Sequence, residues 1–450
     1  MRFLGPTKSS NPEDRLPVLA AFKMLRRVAS RYPGERQGYL ETAQSYKGAM
    51  RRRYNDAFDS LMTDGPLCSA DYRLKSFVKA EKCEPWKLAK PRLIFPRSPR
   101  YNLVLATWLK PFEHWLWGYL KSRHVGATGD SRIVAKGLNQ VERANLILRK
   151  MRQFADCVVF EVDGKAFEAH VDVWQLREEH AVYLNAYSGD RDLARVLGKQ
   201  LANKGVTSSG LKFARAGGRA SGDVNTGMGN SLVMLAVVVG VMGGYGCPWD
   251  LLVDGDNALL FFPASHKSRI CGSFAAVASL ISGHSMVLER PVCVEEEVRF
   301  GRSAPVETER GWRMVRDWRR VLSQGASSHQ HLRDPHTAVG FLHSVALCEC
   351  VLSSGVPILW AYAENLRRRT QRKFDGTLRG VSDYEWLGVD LSRLGSGARA
   401  PTALARSSFS RAFGVSPEEQ MAIEDMLWGT PVRYRSSCPE VGSSQCELEW

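Results

Sequence analysis

The 450-residue sequence predicts an α+β fold. Three observations carry that expectation. The run Cys157 to Val162, CVVFEV, is β-branched and aromatic, the pattern of a buried strand, and it stops at Asp163. The stretch Trp249 to Phe262, WDLLVDGDNALLFF, sets two short apolar runs around Asp254-Gly255-Asp256-Asn257, which reads as a β-hairpin with Asp256 at its tip. Between these strands, Leu232 to Met242 is an apolar run too short to span a bilayer and is expected as a buried helix.

Length and composition narrow the class. A chain of this size buries a large core, as one multilobed unit or as two to three domains. Lysine and arginine number 62 against 47 acidic residues, a net charge of +15. That balance suits a polyanionic partner, nucleic acid first and a membrane surface second, although a merely basic soluble protein shares it. The ten cysteines include no CxxC pair, and the closest are Cys348 and Cys350. This argues against a zinc ribbon or a disulfide framework and for a reducing, intracellular compartment. The start, MRFLGPTKSSNPEDR, lacks the apolar core of a signal peptide. No internal repeat is visible.

Taken in order, residues 1 to about 60 read as helical and basic, with Arg51, Arg52 and Arg53 between Tyr46 and Tyr54. The segment Phe77 to Leu105 carries Lys79, Lys82, Lys87, Lys90, Arg92, Arg97 and Arg100, interrupted by Pro85, Pro91, Pro96 and Pro99. The prolines deny it a long helix, and Trp86, Ile94, Phe95 and Tyr101 argue for an ordered, extended element that holds cations at fixed spacing. Residues 103 to 120 and 134 to 150 read as helices, the second entered through Gly137-Leu138-Asn139. After the strand ending at Asp163 come Glu168 and His170, then a helical, charged stretch over 173 to 204. Gly217, Gly218, Gly222, Gly227 and Gly229 crowd the loop that leads into the apolar helix. Ser221, Thr226 and Asn230 supply short polar groups there, and Thr226 and Asn230 share a helix face. A helix is expected over 267 to 282, with strand-like pieces at 285 to 288 and 292 to 300. Beyond 301, GWRMVRDWRR (311 to 320) and LRRRTQRK (366 to 373) are basic clusters, and the last twenty residues read as a loose tail.

Two strand-end carboxylates, Asp163 and Asp256, thus flank a glycine-rich loop and lie between basic elements. Paired carboxylates at adjacent strand ends can bind two divalent cations, which clamp the attacking and leaving oxygens of phosphoryl transfer. At this point the sequence resembles the RNA-dependent RNA polymerases of positive-strand RNA viruses, above all the tombusvirus-like group, over about Tyr46 to Val306. The motif B pattern SGxxxTxxxN stands as Ser221, Gly222, Thr226 and Asn230; motif A as DGKAFEAH, Asp163 to His170; and motif F as FVKAEK plus KPRLIFPRSPRYNL. The KGLN at 136 to 139 is also similar to that group, Gly283-His284-Ser285-Met286 resembles motif D, and motif E falls near Phe300-Gly301-Arg302. The sequence departs from the pattern at three places. Motif C is Gly255-Asp256-Asn257 where GDD is usual, motif A has Glu168 where Asp is usual, and Val287 occupies the approximate place of the motif D lysine. A GDN on this background resembles the ambiguivirus group of fungal viruses.

The resemblance implies a right-hand fold with an antiparallel palm sheet. Fingers with an N-terminal extension would cover 1–155 and 175–216, the palm 156–174 and 217–300, the thumb 301–430 and a tail 431–450. It implies an RNA-directed nucleotidyltransferase using Mg²⁺, with Mn²⁺ as the alternative ion, and NTPs, RNA template and nascent RNA as partners. Asp163 and Asp256 would hold the metals; Asn257 can offer only a neutral amide oxygen, a weaker ligand for a hard cation. Glu168, Ser221, Thr226 and Asn230 would read the ribose 2′-hydroxyl, with Glu168 and Asn230 as a hydrogen-bonded pair. Lys79, Lys82 and Arg92 would neutralise the triphosphate, and Arg97, Arg100, Arg219 and Gly222 would meet the template. Such an enzyme would work in the host cytoplasm, in membrane-associated replication complexes tethered through another viral or host protein. The rival readings are a reverse transcriptase or other palm polymerase, a non-catalytic basic RNA-binding protein, and an inactivated polymerase in which Asn257 marks lost chemistry.

Overall fold

The computed structural model describes residues 3–5, 7–82, 91–328, 330–332, 334–372, 374, 376–381, 384–385, 387, 389–390, 394–395, 397–435 and 447–449. Trp86, Lys87, Lys90 and most of the expected tail therefore lie outside the described residues. The chain forms two compact units. The first is Met1–Lys79, Pro91–Lys136 and Arg149–Pro291; the second is Ala80–Lys90, Gly137–Leu148 and Val292–Trp450.

The N-terminal expectation of helices holds, as α1 (Leu16–Ala29), α2 (Tyr39–Gln44) and α3 (Gly48–Thr63). The described residues of the proline-rich basic segment divide: β1 (Leu74–Lys75) precedes a short antiparallel ladder of β2 (Phe77–Val78) with β3 (Leu93–Ile94), whereas Pro99 to Leu105 is helical. Ser98 then caps α4 (Pro99–Tyr119), accepting the Tyr101 N–H, with Pro99 in the first turn where no N–H is needed. Helix α5 (Gln140–Met151) starts later than the sequence suggests, because Asn139 Oδ1 accepts the N–H groups of Val141 and Glu142.

The expected strand is β4 (Cys157–Gly164), followed by the short α6 (Phe167–His170), α7 (Val173–Ala186) and α8 (Arg191–Gly198). The helical stretch expected to reach 204 ends earlier. Its last residues open a hairpin, β5 (Ala202–Val206) with β6 (Lys212–Ala216), and β5 also pairs in parallel with β1. The buried Asn203 drives this, since its amide bonds the Gly217 and Gly218 carbonyls rather than a helix backbone. The apolar run lies in α9 (Thr226–Met242), after which come β7 (Asp250–Asp254), β8 (Asn257–Pro263), α10 (Lys267–Ser282) and β9 (Met286–Leu288).

Strands β7, β8, β4 and β9 form, in that order, a four-stranded antiparallel sheet. One face carries Val158, Phe160, Val162, Leu251, Val253, Ala258, Leu260 and Phe262, all but Phe160 fully buried and Phe160 1 % exposed. These side chains share one core with α9 and α10. At roughly 1.5–3 kcal/mol per buried Val, Leu or Phe, this face is a main anchor of the unit. Helix α9 is apolar on every side because it is enclosed on every side, with α1, α7 and α10 packed around it. Below the sheet Lys150 and Asp250, both fully buried, form a 2.8 Å ion pair to which Ser122, Ser131 and Gln153 add hydrogen bonds.

The second unit holds a hairpin of β10 (Ser303–Thr308) with β11 (Gly311–Arg316), then α11 (Trp318–Gln324), α12 (Pro335–Ser353), α13 (Leu359–Gln371) and helices at Ala403–Phe413 and Pro417–Gly429. Its core includes Val306, Val315, Ile358, Leu359 and Phe409. The strand expected at 292 to 300 is instead interrupted by a 3-10 turn, Glu295–Glu297, because the buried Glu296 is held by Arg411 and Ser408. The basic cluster in α13 is partly neutralised, with Arg367 and Arg368 both on Glu364. Among the described residues the cysteines are free, and no helix is long and apolar enough to cross a membrane.

Candidate active site

Strands β7 and β8 are joined by the two-residue turn Gly255-Asp256. Gly255 has φ +68°, a value glycine adopts without a Cβ penalty, so the turn is tight enough to hold Asp256 at the sheet edge. The ladder register sets Asn257 opposite both Asp254 and Asp163, and Asp163 in turn opposite Val287 of β9. The Gly164 N–H donates to the Asp256 carbonyl at 3.3 Å, which ties the turn to the end of β4. From below, the buried Ser231 of α9 accepts the Gly255 N–H at 3.0 Å and donates to the Gly227 carbonyl at 2.8 Å. The two sequence-predicted carboxylates therefore sit on adjacent strand ends, braced by a helix.

Electrostatics mark the same place. The Asp256 carboxyl is pushed up to about 6, chiefly by burial and then by the charge of Glu168, with Asp163 adding to the rise and Arg92 opposing it. Two carboxylates and one guanidinium thus act on the Asp256 carboxyl, and an acid raised by like-charged neighbours is relieved by a cation. Hard carboxylate oxygens of this kind fit Mg²⁺ or Mn²⁺. Among the described residues no three His, Cys, Asp or Glu side chains meet at metal-binding spacing.

Asn257 has a defined partner. Its Nδ2 donates to Glu161 Oε1 at 3.0 Å, linking β8 to β4 two residues before Asp163. A carboxylate can face only the NH₂ side of the amide, which leaves the Asn257 oxygen as its remaining ligand atom.

The glycine-rich loop is built on a buried polar network that sequence reading did not anticipate. Arg97 is 2 % exposed and bonds Asp223, Asn203 Oδ1 at 2.5 Å and the Lys199 carbonyl at 2.9 Å. Gln200 bridges Asp223 at 3.0 Å to Asn225 at 2.9 Å, and Asn225 reaches Glu179 at 3.1 Å. Arg219, also 2 % exposed, is paired with Glu179 and donates from Nε to Asn230 Oδ1 at 3.1 Å. Arg100 is spent on the carbonyls of Ser60, Gly65 and Pro66 and lies 3.4 Å from Asp71. Arg97, Arg100 and Arg219, expected at the template, have their donors on groups of the protein itself. The carboxylates that claim Arg97 and Arg219 are Asp223 and Glu179, the second 40 residues distant, which spacing alone cannot reveal.

The remaining predicted residues divide. Thr226 donates to the Asp223 and Ala220 carbonyls at 2.8 and 3.0 Å, so its proton closes the loop and its oxygen is left to accept. Ser221 is half-buried beside Gly222, whose carbonyl lies 3.4 Å from Asn102 Nδ2. Glu168 is half-buried in α6. Its expected pairing with Asn230 is replaced by Arg219, whose guanidinium takes Asn230 and whose backbone N–H takes the Glu168 carbonyl at 2.7 Å. The Lys79 N–H donates to the Arg92 carbonyl at 2.8 Å, which keeps that lysine beside Arg92 on the β2–β3 ladder. Lys82 belongs to the second unit, where its Nζ lies 3.4 Å from the Gly325 carbonyl. His284 is a buried wedge against Phe167, with Nε2 3.2 Å from Gln175 Oε1, and burial holds its imidazole down at about 3. The residues missed by sequence are Glu161, Glu179, Gln200, Asn203 and Ser231. The one available signal was that polar residues ahead of an apolar helix need partners.

A family model for viral RNA-dependent RNA polymerase matches residues 20–431. The RNA-directed RNA polymerase of Turnip crinkle virus is 34 % identical over 418 residues, covering 90 % of this chain and 51 % of the relative. That of Tomato bushy stunt virus (strain Cherry) is 32 % identical over 401 residues, 87 % of this chain and 47 % of the relative. That of Tobacco necrosis virus (strain A) is 30 % identical over 419 residues, 91 % and 57 %. The chain spans about half the length of the curated relatives it matches.

Proposed function

The chain belongs to the viral RNA-dependent RNA polymerase family, and from that premise we propose that it copies an RNA template by adding NTPs to the 3′ end of a growing RNA, in the replication of a positive-strand virus genome. The observation that carries this reading is the strand register that sets Asp163 and the Asp256 turn on adjacent strand ends, with Glu168 and Arg92 near enough to act on the Asp256 carboxyl. Residues 1–155 and 175–216 are read as fingers, 156–174 and 217–300 as palm, and 301–430 as thumb; the antiparallel sheet of β7, β8, β4 and β9 supports the palm assignment.

Asp163 and Asp256 hold the divalent ions, Mg²⁺ or Mn²⁺. Bound there, such ions polarise phosphoryl oxygens and neutralise charge that develops on them. Arg92, with Lys79 next to it, neutralises the incoming triphosphate. Glu161 and Ser231 fix the hairpin through Asn257 and Gly255, so Asp256 meets its substrate from a braced turn. Glu168, Ser221 and Asn230 face the ribose. The Gly255-Asp256-Asn257 turn supports a place near the ambiguivirus-like fungal viruses. Action in host-cell replication complexes, tethered to membrane through another protein, follows from the same resemblance.

Primer extension on an RNA template, with Mg²⁺ and then Mn²⁺, tests the proposal. NTP incorporation is expected in both. Preferential dNTP incorporation would move the chain to reverse transcription, and RNA binding without extension would leave a non-catalytic binder.

A further inference from the structure

We infer that Arg219, held by Glu179, locks the Asn230 amide in the orientation that donates to the ribose 2′-hydroxyl, and so sets sugar choice. The inference rests on the polymerase reading above. It begins with Glu179, fully buried in α7. Its carboxylate takes both terminal nitrogens of Arg219, the Tyr183 hydroxyl at 2.7 Å and the Asn225 amide at 3.1 Å. A guanidinium gripped this way has one orientation. The pair lies flat against α9 at Gly229, where a Cβ would come within 2.3 Å of Glu179 Oε1 and 2.4 Å of Arg219 Nη2. The absence of a side chain there brings the guanidinium up to the next residue, Asn230.

Arg219 Nε has only a proton to offer. The Asn230 atom 3.1 Å away must therefore be the oxygen, and the NH₂ is turned to the other side. That NH₂ has no hydrogen bond to another described residue. The Arg219 backbone N–H meanwhile holds the Glu168 carbonyl at 2.7 Å, so one residue spaces the two candidate ribose readers. A fixed donor matches a 2′-oxygen, which accepts, and is left unpaired by a 2′-deoxy sugar. Arg219 and Glu179 are positioning residues here; of the three, only Asn230 touches the nucleotide.

The test is single-nucleotide extension with NTP, 2′-fluoro-dNTP and dNTP, since the 2′-fluoro group accepts but cannot donate. Wild type is expected to use 2′-fluoro-dNTP better than dNTP. Glu179→Gln combined with Arg219→Gln removes both buried charges together and frees the amide to flip. It is expected to lower kcat/KM for NTP at least about tenfold while dNTP stays within about twofold, with 2′-fluoro and deoxy substrates becoming equal. Asn230→Asp keeps the Arg219 contact but presents only acceptors, so it is expected to lose the preference, and it serves if melting curves show the double variant unfolded. An unchanged sugar ratio in either the double variant or Asn230→Asp, or equal losses for NTP and dNTP, would overturn the lock. A wild type that extends with no substrate would overturn the function reading and this inference with it.

Discussion

At the residue scale, Asp256 and Asn257 make opposite demands. The Asp256 carboxyl is raised from 3.8 to about 6 by burial and by Glu168 and Asp163, so the folded chain binds its proton more tightly than the unfolded chain. The stability this proton contributes is present below about pH 4 and is lost as pH rises through about 6. Asp256→Asn is therefore expected to melt higher than wild type at neutral pH in metal-free buffer. The two melting curves should converge below about pH 4, and a constant gap across that range would assign the effect to something other than the proton. Asn257, by contrast, stabilises through Glu161. Asn257→Asp would set a second carboxylate against Glu161 and is expected to cost about 1–3 kcal/mol in denaturant melts without metal. Adding Glu161→Gln should restore most of that, and additive losses in the double-mutant cycle would deny the contact. The strand ends at Asp163 and Asp256 are legible because apolar runs that stop at an acid are local patterns. The roles of Arg97 and Arg219 are not, since Asp223 and Glu179 choose them only once the chain has folded.

At the scale of elements, the hairpin β7–β8 is tied at both ends. Its tip hangs on Ser231, and its base on the Lys150–Asp250 pair, where burial holds the lysine amine down at about 8. Lys150→Met would leave Asp250 buried and unpaired, an expected loss of about 3–5 kcal/mol in equilibrium unfolding. Adding Asp250→Asn should recover a large part; no recovery would show that Lys150 acts through packing alone. The four sheet strands and α9 were readable from apolar runs. The β5–β6 hairpin was not, because Asn203 and Gly205 suit a helix terminus as well as a strand, and the pairing with β1 decides between them. The Glu295–Glu297 turn was hidden for a similar reason, since its partner Arg411 is over a hundred residues away.

At the scale of the whole molecule, a net charge of +15 gives the chain a long-range attraction for polyanions, and the proposed RNA binding is expected to draw on it without the carboxylate cluster. Single-stranded RNA affinity should fall steeply with salt, as condensed cations are released on binding. Binding and chemistry are then separable, and Asp163 and Asp256 are proposed to serve the second. The most direct measurement is nucleotide incorporation by Asp256→Ala beside wild type, with RNA affinity measured on the same preparations at one salt concentration. Incorporation should vanish while affinity stays within about twofold, since an acidic residue adds nothing to phosphate binding. Extension by Asp256→Ala at near wild-type rate would contradict the assignment of the β7–β8 turn as the catalytic site.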